Sequence, residues 1–428
     1  MAGTWFRQVR VLDPHSPFHL ERVNIHIDEG GIITFIGEKE ISQEEKVIDW
    51  PDREVYLSPG WMDMEVHLNT PGFEYKESLH QLAQAAIRGG FTHLLCYPNT
   101  NPPVDHAETL RSLQHQAAHF PCQISFAASL SEKNQGRELA ELYEMYQSGA
   151  RAFTEGTRGP IEEGLLSRSL RYLKAFDGLI LTYPLLPSLA KEGEINEGPV
   201  SLKLGMPPLP QAAETAALLR DLEILAYEEG RIHFQPISSP EVMDLLAKAK
   251  RQGHAVSMGM PAYYLAFSDE QLLDFDTNLK VFPPLRSKKQ IQALIQHIRE
   301  GNLDVITSGH RAQGLEEKRL EFGLAEAGML NLQTFMPILN EELIQKGHLD
   351  WSALIESIAI KPRKLLGIEV PSIEVGKKAE LTAFDPDLQW VLEKDDIPST
   401  AKNSPFIGKP LRGKSVGIWI DGHWHPTN

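Results

Sequence analysis

Ser58-Pro59-Gly60-Trp61-Met62-Asp63-Met64-Glu65-Val66-His67-Leu68 reads as a short apolar strand that ends in inward-pointing polar residues. Residues i and i+2 of a strand face the same way, so Glu65 and His67 point together. Two histidines at that spacing would form a metal pincer. Here the first is a glutamate, so the frame of a metal site meets a changed ligand at its first position.

From this strand onward, apolar runs alternate with amphipathic helical stretches, the pattern of parallel βα units. The candidate strands cover 61–68, 92–98, 123–130, 150–155, 179–183, 231–237, 255–260 and 304–309. Helical stretches at 77–88, 137–147, 211–228 and 240–251 separate them. Such a series predicts an α/β fold with a closed (β/α)8 TIM-type barrel. A doubly wound open sheet is the alternative, but no GxGxxG follows the first strand, which argues against dinucleotide binding. Before the barrel, residues 1–57 hold short strands punctuated by Pro and Gly. After it, residues 371–428 return to short strands with Gly turns. The two ends are expected to join in one small β-sandwich flanking a barrel over 58–370. The Gly- and Pro-rich segment 191–210 is the candidate for a long ordered loop on the barrel rim.

Composition narrows the function. Hydrophobic residues make up 42% and charged residues 23%, as in an ordinary globular protein. A net charge of −16 argues against nucleic acid or an anionic membrane, since both need a basic footprint. Cys96 and Cys122 form no CxxC pattern, so a reducing compartment fits. The first residues lack a charged head and apolar core, and no apolar run is long enough to span a bilayer. The expected location is the cytoplasm.

Several stretches carry a family resemblance. His67-Leu68-Asn69-Thr70-Pro71-Gly72, Tyr97-Pro98-Asn99-Thr100-Asn101-Pro102, Ala152-Phe153-Thr154, Pro283-Pro284-Leu285-Arg286 and Asn403-Ser404-Pro405-Phe406 occur in the order found in dihydroorotases. Over nearly its whole length the chain resembles this family of the amidohydrolase superfamily. The resemblance implies a metal-dependent-hydrolase barrel with a composite β-sandwich. It also implies hydrolysis or closure of a cyclic amide by two metal ions, which polarise a carbonyl and supply hydroxide.

The positions that the resemblance assigns to chemistry have changed. Glu65 and His67 stand for the His-x-His pair. Glu155 keeps one carboxylate of the fourth strand. Tyr183 and Pro236 stand where ligand histidines are expected, and Gly309 where the family has the aspartate that binds metal and moves the proton. Among substrate-binding positions, Asn99 is retained, Asn69 replaces an arginine that would grip a carboxylate, and Phe282 replaces an asparagine. The expectation is a degenerate, pseudoenzyme-like member with no catalytic set and no metal. A rebuilt site would place zinc on Glu65, His67, Glu155 and His310.

The resemblance extends to partners, because some inactive dihydroorotase-like chains assemble with aspartate transcarbamoylase. The leading expectation is therefore a structural partner of that enzyme in pyrimidine biosynthesis, itself a homo-oligomer. One alternative is a cyclic-amide hydrolase with a one-metal or metal-free site. Another is a self-assembling scaffold.

Overall fold

In the computed structural model, residues 3–42, 44–156, 161–191 and 193–427 are described. Each of the eight apolar runs forms a strand: Trp61–His67, Phe91–Tyr97, Gln123–Ser129, Ala152–Thr154, Leu179–Thr182, Arg231–Phe234, Val256–Pro261 and Val305–Thr307. They pair in parallel, in sequence order. The strands are short and almost wholly buried, as expected where helices cover the outer face and side chains fill the interior. Trp61, Phe91, Phe126, Phe153 and Phe234 are at most 1% exposed. Each such side chain stabilises the fold by roughly 1.5–3 kcal/mol.

The ring is nearly closed. Between the first and eighth strands the backbone contributes one bridge, Val66 to His310, with the His67 amide donating to the His310 carbonyl at 2.9 Å. Side chains complete the seam. Asp63 accepts from the Ser308 amide at 3.2 Å, and the Thr307 hydroxyl donates to Glu65 at 2.9 Å.

Local sequence sets the helix ends. Ser78 and Gln81 form a capping box at the start of Leu79–Gly89, and Gly90, at φ 91°, ends it in the left-handed conformation that glycine adopts most easily. Ser287 with Gln290 does the same for Lys288–Arg299. Helices Gln211–Glu228 and Pro240–Arg251 occupy the expected spans. The helix expected over 137–147 begins only at Leu142, because the preceding residues bridge Leu139 to Ser131 instead. The 191–210 segment carries a short helix, Pro199–Leu204, and a two-stranded pairing of Ile195–Asn196 with Pro208–Leu209.

Both chain ends meet in one mixed eight-stranded sheet. Tyr56–Pro59 is its junction, parallel to Gly3–Val11 and antiparallel to Leu381–Val391. Phe6 packs edge-on against Trp419 and Trp424 in its core. No helix among the described residues is long and apolar enough to cross a membrane.

Candidate functional site at the barrel mouth

The carboxyl ends of the strands open into a cleft of two lobes that share His67 and Arg311. The first lobe, about 500 Å³, is walled by Glu65, Tyr97, Tyr183, Gln235, Tyr263 and Phe282, among others. The second, about 590 Å³, lies over Asn69, Asn99, Asn101, Lys133 and Gln313.

Glu65 is 2% exposed, and burial pushes its carboxyl up to about 8. It is therefore a neutral acid at pH 7. Asp63, two residues earlier on the same strand face, is pushed by burial up to about 6. His67 lies edge-on to Tyr97, ring centroids 5.3 Å apart. Burial, and then the Arg311 charge, holds it well below the usual histidine range, so the imidazole is neutral. Tyr97 accepts from the Gln235 amide at 2.6 Å. Gln235 also donates to the Met64 carbonyl and contacts His233 at 2.8 Å, and His233 continues to Ser257 at 2.7 Å. His233 is thus a hydrogen-bonded core residue, pushed by burial down to about 4.

Tyr183 faces the first lobe, but its hydroxyl donates to Glu214 at 2.8 Å. Arg286 grips the same carboxylate with two bonds of 2.6 and 2.7 Å. Phe282 lies edge-on to Tyr183 at 5.7 Å. Pro236 lines the lobe without a donor atom.

The four-residue zinc set expected of a rebuilt site is not brought together. Glu155 accepts from both the amide and the hydroxyl of Ser131, each at 2.8 Å, and does not line the first lobe. His310 turns away from the cleft as well. Its Nδ1 accepts from the amides of Asn331 and Leu332 at 3.2 and 3.4 Å, which leaves the proton on Nε2, facing Glu77 at 3.1 Å. Only Glu65 and His67 of the four reach the cavity. Among the described residues, no three His, Cys, Asp or Glu side chains converge so as to hold a metal ion.

The glycine on the eighth strand sharpens the point. Gly309 has φ +62°, and a Cβ there would lie 2.8 Å from Tyr263 Cε1 and 2.9 Å from Pro261 Cβ. The space an aspartate would need is already filled by a ring and a proline. Among the described residues, the donor set therefore does not fit the metal ions that the resemblance implies.

Among substrate-binding positions, Asn99 lines the second lobe and donates to the Glu155 carbonyl at 3.3 Å. Asn69 lines it too, 9% exposed, with its buried Nδ2 unpaired. Sequence reasoning missed Tyr97, Gln235, Tyr263 and Arg311. Tyr97 was within reach of it, since it precedes the Pro98-Asn99 turn at the end of a barrel strand.

A family model described as dihydro-orotase-like matches residues 55–241. The chain is 34% identical over 398 residues to a dihydroorotase of Carboxydothermus hydrogenoformans, covering 93% of this chain and 92% of that one. It is 33% identical over 396 residues to the dihydroorotase of Acetivibrio thermocellus, at 92% of each. The chain belongs to the dihydroorotase family. Among solved structures, an L-hydantoinase (dihydropyrimidinase) from Arthrobacter aurescens superposes with a TM-score of 0.87 at 21% identity, covering 99% of this chain and 96% of that one. That likeness confirms the near-barrel with its composite sheet. Dihydroorotase-family enzymes depend on metal, typically zinc.

Proposed function

We propose that this dihydroorotase-family chain does not carry out metal-dependent ring hydrolysis and serves as a structural partner of aspartate transcarbamoylase in pyrimidine biosynthesis. One observation supports the first half: Tyr263 with Pro261 fills the room that a side chain at Gly309 would need, and the resemblance expects metal ligands there and at Pro236 and Tyr183. The partnership rests on the family resemblance alone, as does self-association into a homo-oligomer.

A second reading is hydrolysis of a cyclic amide without metal. It is favoured by full-length relatives named dihydroorotase and by the pairing of a neutral acid, Glu65, with a neutral base, His67, on one cavity. An acid and a base poised in one pocket can each move a proton in a hydrolysis.

The test uses full-length protein grown with zinc and purified without chelator. Metal content is read by elemental mass spectrometry, turnover by the opening of dihydroorotate, and partnership by co-elution with a transcarbamoylase chain. The proposal expects far less than one metal per chain, no turnover and co-elution. Stoichiometric metal with turnover that His67→Ala abolishes would overturn it. Turnover that survives chelation but disappears in Glu65→Gln would establish the second reading. Failure to co-elute would remove the partnership.

A further inference from the structure

A strap that follows the eighth strand, residues 314–328, walls one side of the first lobe. Gly323 through Gly328 line the cavity together with Lys280, Val281 and Phe282. Two lysines clasp the strap to segment 277–281. Lys280 reaches into it, donating to the carbonyls of Phe322 at 2.7 Å and Gly323 at 3.1 Å, and to the Glu194 carboxylate at 3.0 Å. Lys318 reaches out of it. Its Nζ donates to the Thr277 carbonyl at 2.7 Å and, within the strap, to the Glu326 carbonyl at 2.8 Å. The Lys280 carbonyl stands at 3.5 Å, the outer limit of a hydrogen bond. The Thr277 hydroxyl returns a bond to the Lys318 carbonyl at 2.6 Å. Of the strap's large apolar side chains, Phe322 is buried, whereas Leu315, Leu320 and Leu324 are exposed. The clasp therefore carries much of the attachment.

The two lysines are built for different protonation states. An ammonium has three donors, a neutral amine two. Lys280 has three close acceptors, one of them a carboxylate, which suits a cation. Lys318 is buried and has two close acceptors, both neutral carbonyls, and it forms no ion pair with a described residue. Of the charged groups that face it, Arg311 and Lys280 repel a proton, and Asp276 and Glu326 attract one. Burial outweighs all four and, with the two cations, pushes the amine down to about 7 from its ordinary 10.5. A third N–H on Lys318 would have a marginal acceptor and two cationic neighbours. An opened strap returns the side chain to water, where its ordinary affinity for the proton is restored.

We propose that the strap is a proton-coupled lid on the first lobe: it closes over a neutral Lys318 amine and gives up a proton as it closes. The sign follows from the closed state binding the proton less tightly than the open one. Well below pH 7 both states are protonated and closure is at its weakest. As pH rises from about 7 towards 10.5, the open strap holds a proton that the closed one has released, so closure tightens. The first lobe is thus most accessible in mild acid. The coupling requires neither metal nor turnover, so it stands or falls independently of the reading above.

The test is amide hydrogen exchange of the full-length protein between pH 6 and 8, with rates corrected for their intrinsic rise with pH. The reporters are the amides of Glu326 and Gly328, which donate to the carbonyls of Glu317 and Lys280 when the strap is closed. Their protection should rise by about tenfold across that range, while barrel-strand amides show no such rise. Lys318→Met cannot titrate and Lys318→Arg stays charged, so in both the protection should be flat with pH. A flat profile in the wild type, a rise shared by the barrel strands, or a rise that persists in either variant would overturn the proposal. If neither variant folds, the wild type labelled with 13C at lysine Cε decides. One lysine should titrate near pH 7, and a set that titrates wholly near 10 would overturn the proposal.

Discussion

The two lobes of the cleft sit side by side and treat their polar groups in opposite ways. In the first lobe, Glu65 and Tyr183, which stand where the resemblance expects chemistry, bond within the fold. Glu65 takes the Thr307 hydroxyl across the barrel seam. Tyr183 joins Arg286 on Glu214. Gly309 has given its side-chain space to Tyr263 and Pro261. In the second lobe, Asn69 keeps a buried Nδ2 that no described residue satisfies. A polar group with a full set of internal partners holds the fold together, whereas one left unpaired in a cavity is available to a ligand. Much of the polar wall of the first lobe serves the fold, whereas the second keeps a buried donor open.

If the first-lobe polar groups are structural, removing them must cost stability. Glu214→Ala is the largest test. It leaves Arg286, 1% exposed, without its counter-charge, and breaking a buried pair in this way costs about 3–5 kcal/mol. A denaturant midpoint that hardly moves would break the comparison. Gly309→Asp comes next. The backbone there is left-handed and the site is filled, so strain plus overpacking should destabilise by about 2–4 kcal/mol. The variant should acquire neither zinc nor dihydroorotate turnover. A stable, zinc-loaded, active variant would mean that the first lobe remains one substitution from catalysis.

The frame of this protein was far more legible in the sequence than the use of its mouth. Eight apolar runs bounded by turns and amphipathic helices suffice to place eight strands, and Ser239-Pro240 or Ser287 with Gln290 mark helix starts by local chemistry. Side-chain direction at the mouth is not local. Glu155 is drawn off by Ser131, 24 positions earlier, and His310 by Glu77, 233 positions earlier. Neither pairing leaves a motif. Arg311 is an ordinary arginine in a loop until the fold sets it between two cavities. The loss at Gly309 was readable as a missing carboxylate. The filling of its space by Tyr263, 46 positions earlier by subtraction of the two numbers, was not.

Glu65 offers a sharper test through pH. Its folded-state value, about 8, lies above its ordinary value of 4.5. The folded state therefore holds the proton more tightly, and stability present at low pH is lost as pH rises from about 4.5 through 8. Between pH 6 and 8 that loss should be about 2 kcal/mol, at roughly 1.4 kcal/mol per unit less the flattening near 8. Glu65→Gln still accepts from Thr307 but cannot ionise. The difference in unfolding free energy, wild type minus variant, should fall across that window. A difference that is flat with pH would place an ionised Glu65 at neutral pH, and with it a charge able to serve a cation.

The smallest effect isolates Tyr183. Tyr183→Phe removes one hydrogen bond to Glu214 but leaves the two from Arg286, so the carboxylate stays paired and the ring keeps its packing against Phe282. A loss of about 1 kcal/mol in unfolding free energy is expected, because the hydroxyl is turned to the wall of the first lobe. A denaturant midpoint that Tyr183→Phe leaves unmoved would mean that the hydroxyl adds nothing to the Glu214–Arg286 pair, and that this wall of the first lobe is not a structural network.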